Sequence, residues 1–274
     1  MGQRVVRVGV AVVGVAVLAA SLGACGLATE KFSDDVRVGE AIHSVRIDSV
    51  AGSVTLRSGE TTTVRRKVTY ADERPGGTHR VEGDVLVIEP CPVRDCWIDY
   101  DLVVPAGVSV TGNVRSGSIA MEKVSTVNLD ARSGDVTARG VTGAVNLVSS
   151  SGSVELVDVK GAVNVDAKSG DVSVRDVAGD ATLRVASGNV DVVGIGGRTD
   201  VESTSGDVRV RLTKAAGLRA SSTSGSVDVT VPRDHYRVNA RASGDLRNDI
   251  GDDPSSPNQL DVAATSGDVT LKFG

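Results

Sequence analysis

A chain of 274 residues that is 40% hydrophobic but only 2% aromatic must build its core from Val, Leu, Ile and Ala, and it has length for one or two domains. Its 32 glycines point to frequent turns, and its recurrent valines to strands, because a branched Cβ suits a pleated surface. The formal charge is −5, and setting aside Arg4 and Arg7 near the start leaves 28 basic against 35 acidic residues; with no basic cluster to release counterions, nucleic acid is excluded as a partner.

Residues 1–24 read as a secretion signal. Arg4 and Arg7 supply the positive start, Val8 to Leu22 is an unbroken run of apolar and small residues, and Leu22-Gly23-Ala24-Cys25 closes it. That tetrapeptide resembles the bacterial lipobox, in which a diacylglycerol is attached to the Cys thiol before cleavage. By that resemblance Cys25 is the lipidation site and the first residue of the mature chain. The alternative is an uncleaved anchor, since the apolar run is close to the minimum spanning length. Either reading exports the remainder, and the lipid reading holds it at the outer face of the cytoplasmic membrane. Residues 25–43 are expected to be a tether.

Residues 44–110 read as irregular first coils with a disulfide-bearing cap. Val45 to Ile47, Val54 to Leu56, Val64 to Tyr70 and Val85 to Ile88 alternate as strands do, with Gly52, Gly59, Gly76-Gly77 and Gly83 as turns. Lipidation of Cys25 leaves Cys91 and Cys96 as an even pair within a turn-like stretch beginning at Pro90. An oxidising compartment would join them, although closing so short a loop contributes only about 2 kcal/mol. A metal or redox site is the alternative, but two thiols with no nearby His fall short of four ligands.

Residues 111–274 are dominated by a repeat. Ser-Gly, a small polar residue and an apolar residue recur from Ser116, Ser133, Ser151, Ser169, Ser187, Ser205, Ser224, Ser243 and Ser266. The apolar position is Ile119, Val136, Val154, Val172, Val190, Val208, Val227, Leu246 and Val269, and halfway round come pairs such as Val127/Leu129, Val145/Leu147, Val163/Val165 and Ala181/Leu183. Apolar residues two apart point to the same side of a strand. No single repeat can bury that side alone, so the coils must stack. The fold class is therefore all-β: a parallel β-solenoid, a two-sheet β-helix of about 18 residues per coil. All six aromatics fall outside the central body, Phe32, Tyr70, Trp97 and Tyr100 before it and Tyr236 and Phe273 after it, where they suit the covering of its ends. Around Tyr236-Val238-Ala240 the inward register reads as displaced by one residue, which predicts a bulge.

Four sets of residues are candidates for chemistry. The polar position after Ser-Gly carries Asp135, Asp171, Asp207 and Asp245 between neutral residues; these hard oxygen ligands could form a calcium ladder, or each could bond the backbone N–H of its own turn. Asn128, Asn146, Asn164, Thr182 and Asp200 form an outward column, either a hydrogen-bonded ladder or a polar binding strip. The insertion at 248–258 carries Asp249, Asp252 and Asp253, which could hold a cation or a partner, or simply be solvated. Scattered acids alone do not make a glycosidase pair, and His43, His79 and His235 lack any nucleophile motif, so an enzyme is not expected and no cofactor is implied.

Val103-Val104-Pro105-Ala106-Gly107-Val108-Ser109-Val110 resembles the Val-Pro-x-Gly lead-in strand of a bacterial family of β-strand-repeat proteins named putative adhesins, and the Ser-Gly-Asp-Val turns that follow are similar to that family's repeats. The resemblance covers roughly residues 40–274. It implies an envelope protein tethered to the membrane, acting as a surface binding, adhesin-like or structural module, with another envelope protein or a cell-wall component as partner. It also admits a regulatory partner in an envelope-stress membrane system, and it carries over no catalytic residues.

Overall fold

Residues 29–274 are described by a computed structural model; the expected signal peptide at 1–24 and the lipidation site Cys25 lie outside the described residues. The described residues form strands and turns with no helix. The irregular N-terminal part contributes β1 (Glu30–Arg37), β2 (Ser44–Ala51), β3 (Val54–Ser58), β4 (Thr63–Tyr70), β5 (His79–Glu82), β6 (Val85–Ile88) and β7 (Cys96–Val104). The regular coils then pair β8 (Ser109–Ser116) with β9 (Ile119–Glu122), β10 (Val127–Ala131) with β11 (Val136–Val141), β12 (Val145–Ser149) with β13 (Val154–Val159), and β14 (Val163–Ser169) with β15 (Val172–Val177). They continue through β16 (Ala181–Ser187) and β17 (Val190–Ile195), β18 (Thr199–Ser205) and β19 (Val208–Arg211), and β20 (Leu218–Ser224) and β21 (Val227–Val231). The last four strands are β22 (Arg237–Ala242), β23 (Leu246–Asn248), β24 (Gln259–Ser266) and β25 (Val269–Phe273).

Odd and even strands of the body segregate into two sheets of 13 and 12 strands, joined at every coil by the Ser-Gly corner. The first sheet runs β1-β4-β7-β3-β9-β11-β13-β15-β17-β19-β21-β25-β23, and the second β22-β24-β20-β18-β16-β14-β12-β10-β8-β2-β6-β5. Between β8–β9 and β20–β21 each coil pairs in parallel with its sequence neighbours, Val on Val: Val136 on Val154, Val172 and Val190. Both inward columns are buried between the sheets, as the two-residue alternation requires.

One corner sets how closely coils can stack. Gly117, Gly134, Gly152, Gly170, Gly188, Gly206 and Gly225 all have positive φ, and a Cβ on any of them would sit within 2.4 Å of the carbonyl group of the glycine in the preceding coil. The clash is with backbone, so no side chain can move aside. Only glycine permits this approach.

The order of coils departs from the order of sequence at both ends. The β2–β3 coil lies between β6–β7 and β8–β9, so the chain runs outward and then returns across its own first coil. At the other end β24–β25 inserts between β20–β21 and β22–β23. At the C-terminal end side-chain polarity explains this sorting. Leu260, Val262 and Ala264 of β24 are fully buried, whereas β22 offers only half-buried Val238, Ala240 and Ala242 between exposed Arg237, Asn239 and Arg241. An outermost strand with charged neighbours is protected against edge pairing, and an apolar one is better placed inside.

Four expectations need correction. Residues 30–37 of the expected 25–43 tether form β1, antiparallel to β4, because Phe32 packs edge-on against Tyr70 at 5.9 Å and under the Arg74 guanidinium at 4.1 Å. The lead-in strand at 103–110 is broken: Pro105 lacks an N–H, Gly107 takes φ +83°, and the segment divides into the end of β7, a turn and β8. No bulge occurs at Tyr236-Val238-Ala240, since β22 pairs with β24 in continuous register; the irregularity lies instead between Ile47 and Val50 where β2 meets β8. Leu246 is not a core residue but is 50% exposed on the outermost strand.

The N-terminal end is closed by larger side chains. Buried Arg66 donates to both oxygens of Asp34 at 2.6 Å and to the Gly76 carbonyl, and the buried Tyr100 hydroxyl meets Thr78 Oγ1 at 2.6 Å. Burial pushes the Tyr100 phenol up to about 12.

Gly170→Ala places its Cβ 2.2 Å from the Gly152 carbonyl oxygen, whereas Gly83 also has positive φ but nothing within 4 Å. We expect Gly83→Ala to cost about 1–2 kcal/mol for the left-handed backbone alone, and Gly170→Ala to cost clearly more in denaturant unfolding; equal costs would refute the packing account. Removing residues 259–274 should also release β22–β23, seen as lost hydrogen-exchange protection at 237–248 while β20–β21 stays protected.

Candidate functional site

The Ser-Gly corner carries the regular carboxylates, and their hydrogen bonds run between coils. Asp135 Oδ1 accepts the Ser153 N–H at 2.8 Å, Asp171 Oδ1 accepts that of Asn189 at 2.8 Å, and Asp207 Oδ1 accepts that of Ser226 at 3.0 Å. Asp268 accepts the N–H of Asp245 in the same way. The expectation that each side chain bonds its own turn is therefore corrected: it bonds the equivalent N–H of the adjoining coil, because stacking brings that donor nearer than any in its own tight turn. These residues seal backbone donors along the corner. No group of three or more His, Cys, Asp or Glu among the described residues is arranged to hold a metal ion.

The 248–258 loop uses its acids in a similar manner. Asp249 pairs with Arg247 at 2.8 Å, and Asp252 Oδ1 accepts the Val238 N–H on the outer edge of β22. Asp253 accepts from the backbone N–H and hydroxyl of Ser255, which hold its carboxyl below the usual range, and lies 3.4 Å from His235 Nδ1. The loop folds over the last strand and occupies one of its open donors. Cys91 and Cys96 form a disulfide, with Cα atoms 6.0 Å apart, at the corner joining β6 to β7. It lies beside Trp97, which is 50% exposed.

The outward column of the smaller sheet is present in register, Asn128 beside Asn146, Asn164, Thr182 and Asp200. Asn164 Nδ2 donates to Asn146 Oδ1 at 3.0 Å.

The outer face of the larger sheet holds an arrangement that the motif reading missed. Parallel pairing places Arg139, Val157, Arg175, Val193, Arg211, Thr230 and Lys272 in one row, with a cation on every second coil. The adjacent row carries Thr137, Glu155, Ser173, Asp191, Arg209 and Asp228, so carboxylates fall largely on the intervening coils. Arg139 reaches Glu155 at 2.8 Å, Arg175 reaches Asp191 at 2.7 Å, and Arg209 lies between Asp207 at 3.2 Å and Asp228 at 3.9 Å. The Asp191 hydrogen bond raises the Arg175 guanidinium further above its ordinary value. Toward the C-terminal end the two rows border an open groove of about 500 Å³, lined by Arg175, Arg209, Arg211, Asp191, Asp228 and Lys272 among others. A signal for this was available: positions 139, 175 and 211 each lie three residues after the repeat valine of alternate coils.

Residues 95–272 match the family described as Toastrack DUF4097. None of the curated proteins matches the chain. Among solved structures, a protein from Bacteroides fragilis described as a putative adhesin aligns at 14% identity and a TM-score of 0.40, over 89% of this chain and 97% of that one. A putative adhesin from Parabacteroides merdae aligns at 13% identity and a TM-score of 0.38, over 89% and 96%. A putative cell adhesion protein from Clostridium sporogenes aligns at 12% identity and a TM-score of 0.24, over 89% and 100%.

Asp135→Ala removes one bond between coils and should lower stability by about 1 kcal/mol, or roughly 2–4 °C in melting temperature. Calcium against chelator should leave the melting temperature of the unaltered protein unchanged; a rise with calcium would restore the metal-ladder reading.

Proposed function

The chain belongs to the Toastrack DUF4097 family, and on that premise we propose that it is a lipid-anchored, extracytoplasmic binding module that presents the outer face of its larger sheet to a surface partner. The observation that carries this is the pair of charged rows on that face, held in register by the parallel pairing beneath them. These side chains point away from the core, so the fold does not require their charge. A rigid sheet also fixes their spacing before binding, which reduces the ordering cost of association.

The anchor would set the orientation. Cys25 precedes the first residue of β1 by five positions, a reach of at most about 17 Å. A lipid there holds the N-terminal end beside the bilayer, and the 13-strand sheet extends away from it by about 58 Å at the usual strand spacing. The charged groove near β19, β21 and β25 is then carried toward the far end.

Cys25→Ser should shift the protein from the membrane fraction to the soluble fraction, or leave an unprocessed precursor. Unchanged processing and retention would instead mean an uncleaved anchor. Binding is tested with the labelled full chain in detergent against isolated bacterial envelope fragments. Saturable binding that falls with rising salt is expected; none above an unrelated β-sheet protein would sink the binding-module reading.

A further inference from the structure

Two cations in the groove differ from the others on this face. Arg139, Arg175 and Arg209 are each engaged by a carboxylate, but Arg211 and Lys272 form no ion pair or side-chain hydrogen bond with any described residue. Both side chains are exposed, and Thr230 lies between them in the same outward row. The chain as a whole is acidic, so these two free charges stand out locally.

Their separation follows from the fold. Arg211 and Lys272 are two coils apart across Thr230, which is about 9.6 Å along the row. Val193 likewise separates Arg211 from Arg175, and Val157 separates Arg175 from Arg139. The row therefore offers a cation at each step of about 9.6 Å, with the two unengaged ones at its C-terminal end. A fork-shaped guanidinium and a nearby ammonium are suited to oxyanions, the former in bidentate geometry.

We propose that this row is a binding site for a linear acidic polysaccharide that lies along the rod and places one carboxylate or sulfate per disaccharide over Arg211 and Lys272. The step between cations is about the length of a disaccharide. A strand of sugars also fits an open groove on a flat sheet, where the hydroxyl of Thr230 and the carboxylates of Asp191 and Asp228 can meet sugar hydroxyls. A lipid surface fits less well, because the large exposed apolar side chains, Trp97, Val148 and Leu246, are not among the residues lining this groove. The Asp191 carboxylate engages Arg175, so a longer chain must displace it to extend the contact.

The inference rests on the binding-module reading and names its ligand class. The test uses the full chain in detergent, titrated at low salt with polygalacturonate, monomeric galacturonate, inorganic phosphate and anionic phospholipid vesicles. Polygalacturonate should bind saturably, and the Arg211→Ala/Lys272→Ala double variant should weaken it about tenfold with an unchanged melting temperature. Asp191→Asn, which frees Arg175, should tighten it. Equal binding of the monomer or of phosphate would overturn the polymer reading, and vesicle binding with the same dependence on Arg211 and Lys272 would overturn it in favour of a lipid surface. Polymer binding that is unaffected by the double variant would overturn the site. Envelope fragments bound without polygalacturonate binding would remove only the ligand class; loss of both would remove the binding module as well.

Discussion

The rod depends on how closely one backbone can approach the next at the Ser-Gly corner. Glycine follows glycine there from coil to coil, each at positive φ, each against the carbonyl of the one before. That contact sets the two sheets at a common rise, so the Val columns meet Val columns and the backbone ladders close on both faces. The adjoining Asp, Asn and Ser side chains extend the same corner by accepting N–H groups from neighbouring coils. Turn chemistry and core packing are thus one constraint, met at the same few residues of each repeat.

Once that constraint is met, the outer faces are left free. An inward position must be small and apolar, whereas an outward position on the larger sheet can carry any side chain that tolerates its neighbours. Regular spacing of the scaffold becomes regular spacing of charge. A cation on alternate coils, with carboxylates mostly on those between, avoids stacking like charges at a single strand separation. The unpaired members at the C-terminal end, Arg211 and Lys272, are the places where a partner's charge has least competition.

Ends are the weak point of any stacked sheet, and here the two ends use the same device. In each, the coil nearest the terminus in sequence is enclosed by one that lies further from that terminus along the chain, and at the C-terminal end the enclosing coil is also the more polar. At the N-terminal end the enclosing coil carries the disulfide and adjoins the buried Arg66–Asp34 pair. At the C-terminal end it carries Arg237 and Arg241, and the 248–258 loop folds across it, with Asp252 holding an edge N–H. The acids of that loop, attractive as ligands when read along the chain, are already committed to closing the structure.

The amino-acid pattern by itself determined the fold class, most of the inward columns, the turn positions and most of the N-terminal strands, because all of these follow from local backbone preference and a two-residue alternation visible over a few positions. The pairing of Cys91 with Cys96 was legible for a similar reason, since five positions of chain permit it. Only the tertiary structure decided which coil lies against which. Ser243-Gly244-Asp245-Leu246 and Ser266-Gly267-Asp268-Val269 look equivalent as motifs, yet one is outermost and the other enclosed, because burial of Leu260 and Val262 outweighs sequence order. It also decided the charged face: Arg175, Asp191 and Arg211 are far apart along the chain, and stacking at the glycine corner is what makes them neighbours.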